Sequence, residues 1–172
     1  MTTSCQNDQK YFEKILLQDS INVDRATGVT LLYSDSAHTR VIVNAPVLLR
    51  VRDKKDPKNI FPEGLTADFY NERHQQSSRM TARYGEEHTK EHKVYLRDDV
   101  KIWNNKNELL ESEELNWDEN SKQISSHKYV KITTPTQIIE GVGMKSNLDF
   151  TEWEIYNVRG VVESNNVVDV PF

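Results

Sequence analysis

A single cysteine, the lack of any long apolar run and an excess of acid over base exclude several classes of protein before any motif is read. With Cys5 alone, no disulfide can form within the chain, so its order rests on packing and backbone pairing. No apolar run approaches the ~20 residues that a membrane-spanning helix needs. Lys and Arg number 22 against 27 Asp and Glu, a formal net charge of -5. That balance argues against general nucleic-acid binding, which needs a basic face to release counterions from phosphates. There is no glycine-rich phosphate loop and no Ser or Cys nucleophile motif. Apolar residues are 36% of the 172, and the mean hydropathy is -0.73. The length suits one domain, but such hydropathy fits thin sheet layers with one face in water better than a thick core.

What is present is alternation, and it repeats. Residues 93–132 read as short strands separated by polar turns, and they partly echo the stretch about 30 residues before them. Met80 and Ala82 return as Leu110 and Ser112, Val94 as Ile124, and Val100-Lys101-Ile102 as Val130-Lys131-Ile132. Residues 138–144 (IIEGVGM) read as a degenerate third unit, with Ile139, Gly141 and Met144 at the matching places. A unit of this length cannot bury its apolar face alone, so stacking is implied. Upstream, residues 29–51 predict two or three strands, in which Pro46 belongs at an edge, a bulge or a strand start. Leu65, Ala67 and Phe69 share one face, and Met80, Ala82 and Tyr84 share another. The turns are polar: residues 71–76, 104–107 (NNKN) and 118–121. No segment between Val29 and Val162 has a helical period. The reading is an all-β, antiparallel stack over residues 25–172.

Residues 1–24 read as an anchor or tether. Phe12, Ile15 and Leu16 stand at helical spacing, which fits a short amphipathic helix, a tether or a frayed terminus. Around Cys5 two readings stay open. One is an exposed thiol. The other is a lipidated cysteine, for which Thr3 and Ser4 are suitably small, although Thr2 and the lack of an apolar signal do not match.

Catalysis finds little support. His88 and His92 share a face only on a helix, and between strands they read as solvated turn residues, so no metal site is expected. Glu86, Glu87, Asp98, Asp99 and residues 111–114 read as solvated charge, although a glycosidase would need two carboxylates held across a cleft. Trp103, Trp117 and Trp153, with Phe69, Tyr84 and Phe150, read as packing before a carbohydrate platform.

The order of these stretches resembles a known family. Residues 100–132, then IIEGVGM and the closing IYNVRGVV, with LTADFYN, SSRMTARY and the early GVTLLYSDS and VIVNAP upstream, are similar to the LptC family of lipopolysaccharide-export proteins and its OstA-like repeat. The resemblance covers residues 29–162. It implies a twisted, V-shaped antiparallel β-jellyroll of stacked repeats with an apolar interior, needing no cofactor and catalysing no reaction. It also implies a periplasmic protein held at the inner membrane by an N-terminal anchor. Its partners would be lipopolysaccharide, an inner-membrane ATP-binding-cassette extractor of the LptB/LptF/LptG kind and an LptA-like periplasmic bridge. Rival readings are a soluble LptA-like bridge itself, and a jellyroll carbohydrate-binding module or hydrolase.

The expected lipid path is the inward apolar face. It takes Leu65 and Phe69, then Met80, Ala82 and Tyr84, then Leu96, Val100 and Ile102. Leu110, Leu115 and Trp117 follow, with Ile124, Val130 and Ile132, and finally Ile139, Met144 and Phe150. For any one of these residues plain core packing is the first reading, since a sealed sandwich core uses the same pattern. Gly141 and Gly143 are expected to be structural glycines, at a bulge or a close backbone approach. Open sheet edges would offer unpaired backbone groups to neighbouring proteins.

Overall fold

The computed structural model describes residues 22–35, 38–163, 165, 168 and 170–172. Cys5 and the expected helix at residues 8–20 lie outside them. The described residues form eleven strands and no helix. They are β1 (Val23–Asp35), β2 (His38–Val51), β3 (Lys58–Phe61), β4 (Leu65–Tyr70), β5 (Gln76–Ala82) and β6 (Tyr84–His88). They continue as β7 (Lys93–Asn104), β8 (Leu109–Asp118), β9 (Gln123–Thr133), β10 (Gln137–Asn147) and β11 (Trp153–Glu163). The order is β11-β10-β9-β8-β7-β5-β4-β2-β3-β6, with β1 on the other side of β2 and β6 returning to β7. Every pairing is antiparallel.

Two strands switch partners halfway. β2 pairs β4 through Val41 to Asn44 and β3 through Leu49 to Val51. β7 pairs β6 through Lys93 to Arg97 and β5 through Lys101 to Asn104. Each therefore belongs to two layers: one holds β3 and β6, the other β4 and β5. Side chains from both layers enter one apolar cluster, so the sheet is folded over and faces itself. The all-β jellyroll is the observed fold.

The fold line is built from irregular backbone. Asp98 and Asp99 take φ of 64° and 54°, where β7 slips register against β8 between Arg97 and Val100. Gly143 has φ +83°, within the slip of β10 against β9 between Val142 and Met144. A Cβ on Gly141 would lie 2.7 Å from the carbonyl oxygen of Asn157 and against Ile155, so β11 can come this close only to a glycine. Pro46 is mid-strand rather than at an end. It falls where β2 passes from β4 to β3, and the ladder on that side needs no N–H from it.

The repeat shows as continuous rows across the layers. In the β4–β5 layer, cross-strand partners run Leu31, Val43, Ala67, Met80, Ile102, Leu110, Ile132, Ile139. In the other layer they run Asn59, Glu87, Val94, Trp117, Ile124, Ser146, Trp153. Each fully buried aliphatic in such a row contributes about 1.5–3 kcal/mol. The second row begins with two polar residues, and they lie beside the cavity described next.

Candidate functional site

Away from the fold line the strand ends form one rim, and the two flanks of the β10–β11 turn along it differ. On one, the β7–β8 turn meets the β10–β11 turn. Phe150, with φ 52° and no exposed surface, fills the gap and stacks on Trp153 at 6.4 Å. Buried Asn104 donates through Nδ2 to the Phe150 carbonyl and to Glu108 Oε2, both at 2.7 Å. Trp153 Nε1 donates to the same Glu108 oxygen at 3.1 Å. Asn104 Oδ1 also accepts from the backbone of Lys106 and Glu108, tying its own turn. This flank is sealed.

The other flank opens into a cavity of about 980 Å³, at the upper end of the roughly 300–1,000 Å³ typical of ligand sites. Its floor is apolar: Val41, Phe69 and Trp117 are buried. Trp117 meets Tyr33 and Phe69 edge-on, at 5.9 and 5.7 Å and at 62° and 65°. Edge-on rings pack well but give no coplanar platform for sugars. Leu32, 64% exposed, and Leu148 stand at the lip. Arg40, Arg73 and Lys122 line the same opening, with Glu72, Glu119 and Asp149.

Polar groups stand beside the aromatic floor. Glu87 is 7% exposed, and its Oε2 accepts from Tyr33 Oη at 3.0 Å and Asn59 Nδ2 at 2.7 Å. Burial, and then the charge of Glu87, push the Tyr33 phenol far above its ordinary value. Burial, and then Glu87 again, raise the Glu119 carboxyl, against the pull of His92, whose Nδ1 is 3.5 Å from Glu119 Oε2. Trp117 Nε1 and Glu119 Oε1 are buried and have no hydrogen-bond partner among the described residues.

The expected path residues fall mostly into one seam. All of them except Tyr84 and Ile139 enter the main apolar cluster, and of these Phe69 and Trp117 also line the cavity. Ile139 lies half-buried at the end of its row. Tyr84 corrects the reading that gave it the face of Met80 and Ala82. β5 ends at Ala82, β6 begins at Tyr84, and Tyr84 packs with Val51 and Ile60 in a separate cluster. The Arg97 guanidinium lies 4.0 Å over its ring, and its hydroxyl donates to Glu86 Oε2 at 3.0 Å.

Two polar readings are also corrected. His88 is a largely buried strand residue between Glu86 Oε1 at 2.9 Å and Asp56 Oδ1 at 3.2 Å. Lys58 pairs with the same two carboxylates, each at 2.9 Å. Glu87 is an interior group and not solvated charge, because Tyr33 and Asn59 supply the hydrogen bonds that burial would otherwise remove. Among the described residues, no three His, Cys, Asp or Glu side chains cluster as a metal site would require. Tyr33, Val41, Arg40, Arg73, Glu119 and Lys122 were not singled out from sequence; the strand alternation in residues 29–51 was the one available signal for Tyr33 and Val41.

By fold the protein is a β-jellyroll with an internal apolar seam, shut on one flank and open on the other. The family model described as "Lipopolysaccharide-assembly, LptC-related" matches residues 58–163, well over half of the chain, and the protein belongs to this family of periplasmic lipopolysaccharide-transport components. Its role is in lipopolysaccharide transport. No curated protein matches the chain. The match runs from the first residue of β3 to the last of β11, so the β1 and β2 wall of the cavity lies before it. No helix among the described residues is long and apolar enough to cross a membrane.

Proposed function

We propose that the open flank admits acyl chains of lipopolysaccharide, and that the protein transfers this lipid without catalysing a reaction. The observation that carries this reading is the cavity: an aromatic floor opening past Arg40, Arg73 and Lys122, in a chain of this family. Hydrocarbon gains about 25 cal/mol per Å² by leaving water, while phosphate groups of the lipid can stay hydrated beside the cations. The path continues from Phe69 and Trp117 into the seam of Leu65, Met80, Leu96 and Ile102. An ATP-binding-cassette extractor in the inner membrane supplies the lipid, an LptA-like bridge receives it, and residues 1–24 hold the protein at that membrane.

β1 and β11 each have one strand neighbour among the described residues, so each leaves backbone groups for a partner strand. Tyr156, Val158, Val161 and Val162 on β11 are each more than half exposed. That apolar edge also favours a second reading, edge-to-edge self-assembly, which light scattering over a concentration series would reveal.

Photo-crosslinking tests the first reading. A photoreactive residue at Leu148 or Phe69 should capture lipopolysaccharide strongly, and one at fully buried Ile132 more weakly, since the layers must part to reach it. Failure at all three positions in folded protein would leave only a scaffold.

A further inference from the structure

The outside of the β4–β5 layer carries a row of its own. Cross-strand partners there run Arg79, Trp103, Leu109, Thr133, Ile138, Val162, from β5 to β11. Each is a chain neighbour of the buried row through Met80, Ile102, Leu110 and Ile132, so they face away from the seam. Even so, Trp103, Leu109 and Ile138 are half-buried, whereas Tyr95, on the outside of the other half of β7, is 38% exposed.

The segment after β11 supplies the cover. Of it, Asn165, Val168 and residues 170–172 are described. Asn165 lines a small gap with Thr136, Gln137 and Glu163, on the side of the β9–β10 turn and not of the free β11 edge. Further on, the Pro171 carbonyl accepts from Arg79 Nη1 at 2.6 Å. The segment thus starts beside Val162 and reaches Arg79, the two ends of one row. From β11 to β5 is five strand spacings, or about 24 Å at about 4.8 Å each. The eight residues that lead from Glu163 to Pro171 reach at most about 26–29 Å, enough for the span with little to spare. Val168 and Val170, like the row, are half-buried.

Arg79 is held ready for this contact. Its Nε and Nη2 donate to the two oxygens of Asp68, at 2.6 and 3.1 Å, and Asp68 also accepts from Gln76 Nε2 at 2.8 Å. That fork fixes the plane of the guanidinium and leaves Nη1 for the carbonyl. Pro171 suits the place, since its fixed φ favours an extended course and it has no N–H to leave unpaired against the row.

We infer that the outer row of Trp103, Leu109 and Ile138 is a docking strip for an extended apolar segment, and that this chain's own residues after β11 occupy it as a strap fastened at Arg79. The strap keeps those three side chains from water and from other chains. The inference is independent of the lipid reading, since the row lies outside the seam.

Hydroxyl-radical footprinting of the whole protein tests it, with Trp103 read by mass spectrometry against Trp117, which is 3% exposed. Val168→Asp combined with Val170→Asp should raise Trp103 oxidation severalfold and leave Trp117 protected, which also reports that the fold is intact. Arg79→Lys keeps a cation beside Asp68 and loses the fork, so it should raise Trp103 oxidation by less. A capped peptide of residues 164–172, at the millimolar concentration that a short tether supplies, should restore Trp103 protection in the doubly substituted protein. Trp103 oxidation unchanged by the valine pair and by Arg79→Lys would overturn the strap. Exposure that the peptide does not reverse would overturn the row as a docking strip. If the valine pair also exposes Trp117, Arg79→Lys alone decides, by the same reading of Trp103.

Discussion

The two flanks of the folded sheet are made from the same alternating strands, yet one is shut and the other open. On the shut flank a turn residue, Phe150, enters the seam, and Asn104, Glu108 and Trp153 knit the two turns together. On the open flank Arg73 and Lys122, with Leu148 from the same β10–β11 turn that carries Phe150, form a lip around a cavity. Strand pattern thus builds the seam, and turn chemistry decides where the seam can be entered. Removing the plug tests this most severely. Phe150→Ala should cost about 3–5 kcal/mol in urea unfolding, as deletion of a fully buried aromatic does. A loss under about 1 kcal/mol would mean that the flank is closed by something else.

Asn104→Ala comes next. It removes both the Nδ2 donor that joins the turns and the Oδ1 acceptor that shapes its own turn, leaving the Phe150 carbonyl without this partner. The expected cost is about 1–3 kcal/mol, with faster amide exchange in the β10–β11 turn than in the β4–β5 turn. Equal changes on both flanks would show that the seal is not local.

Most of the strand framework is legible in the residues, because alternation survives whatever sheet a strand joins. The rows through Met80, Ile102, Leu110 and Ile132 follow from their spacing alone. What alternation does not record is a change of layer. A single residue, Arg83, separates β5 from β6, and its N–H bonds to the Asp98 carbonyl at the fold line. Tyr84 therefore faces away from Ala82 although the two are spaced to share a face. The same limit hid the cavity, whose floor joins Tyr33, Phe69 and Trp117 from β1, β4 and β8. Glu87 was hidden for another reason. It sits in a run of charged residues, and composition assigns such runs to solvent, but Asn59 is its cross-strand neighbour and Tyr33 reaches it across the seam.

On the open flank the expected stability effects are smaller and depend on pH. Burial first, and then Glu87, hold the Glu119 carboxyl above its ordinary 4.5. A carboxyl raised on folding favours the folded state when protonated. That contribution is complete below about pH 4.5 and is lost as pH rises through the raised value. At pH 7 the buried charge is a cost that Glu119→Gln removes, so melting should rise by about 2 °C. The gain should vanish at pH 4, where both side chains are neutral. A gain that is equal at both pH values would mean that the effect is packing and not charge.

The smallest effect on stability is expected at the rim. Arg40 and Arg73 form no ion pair among the described residues, so replacing each with alanine should shift unfolding by no more than about 0.5 kcal/mol. If they serve the fold, that shift is the whole effect. If they serve the opening, association with anionic lipopolysaccharide should weaken severalfold in low salt. The difference should shrink as ionic strength rises and the Debye length falls to a few ångströms. Alanine at Arg159, an exposed cation of β11, is the control, since it changes net charge equally away from the cavity. Lipid binding that falls as much for Arg159→Ala as for the rim variants would reduce the open flank to a feature of overall charge, and the contrast between the flanks would then be one of packing alone.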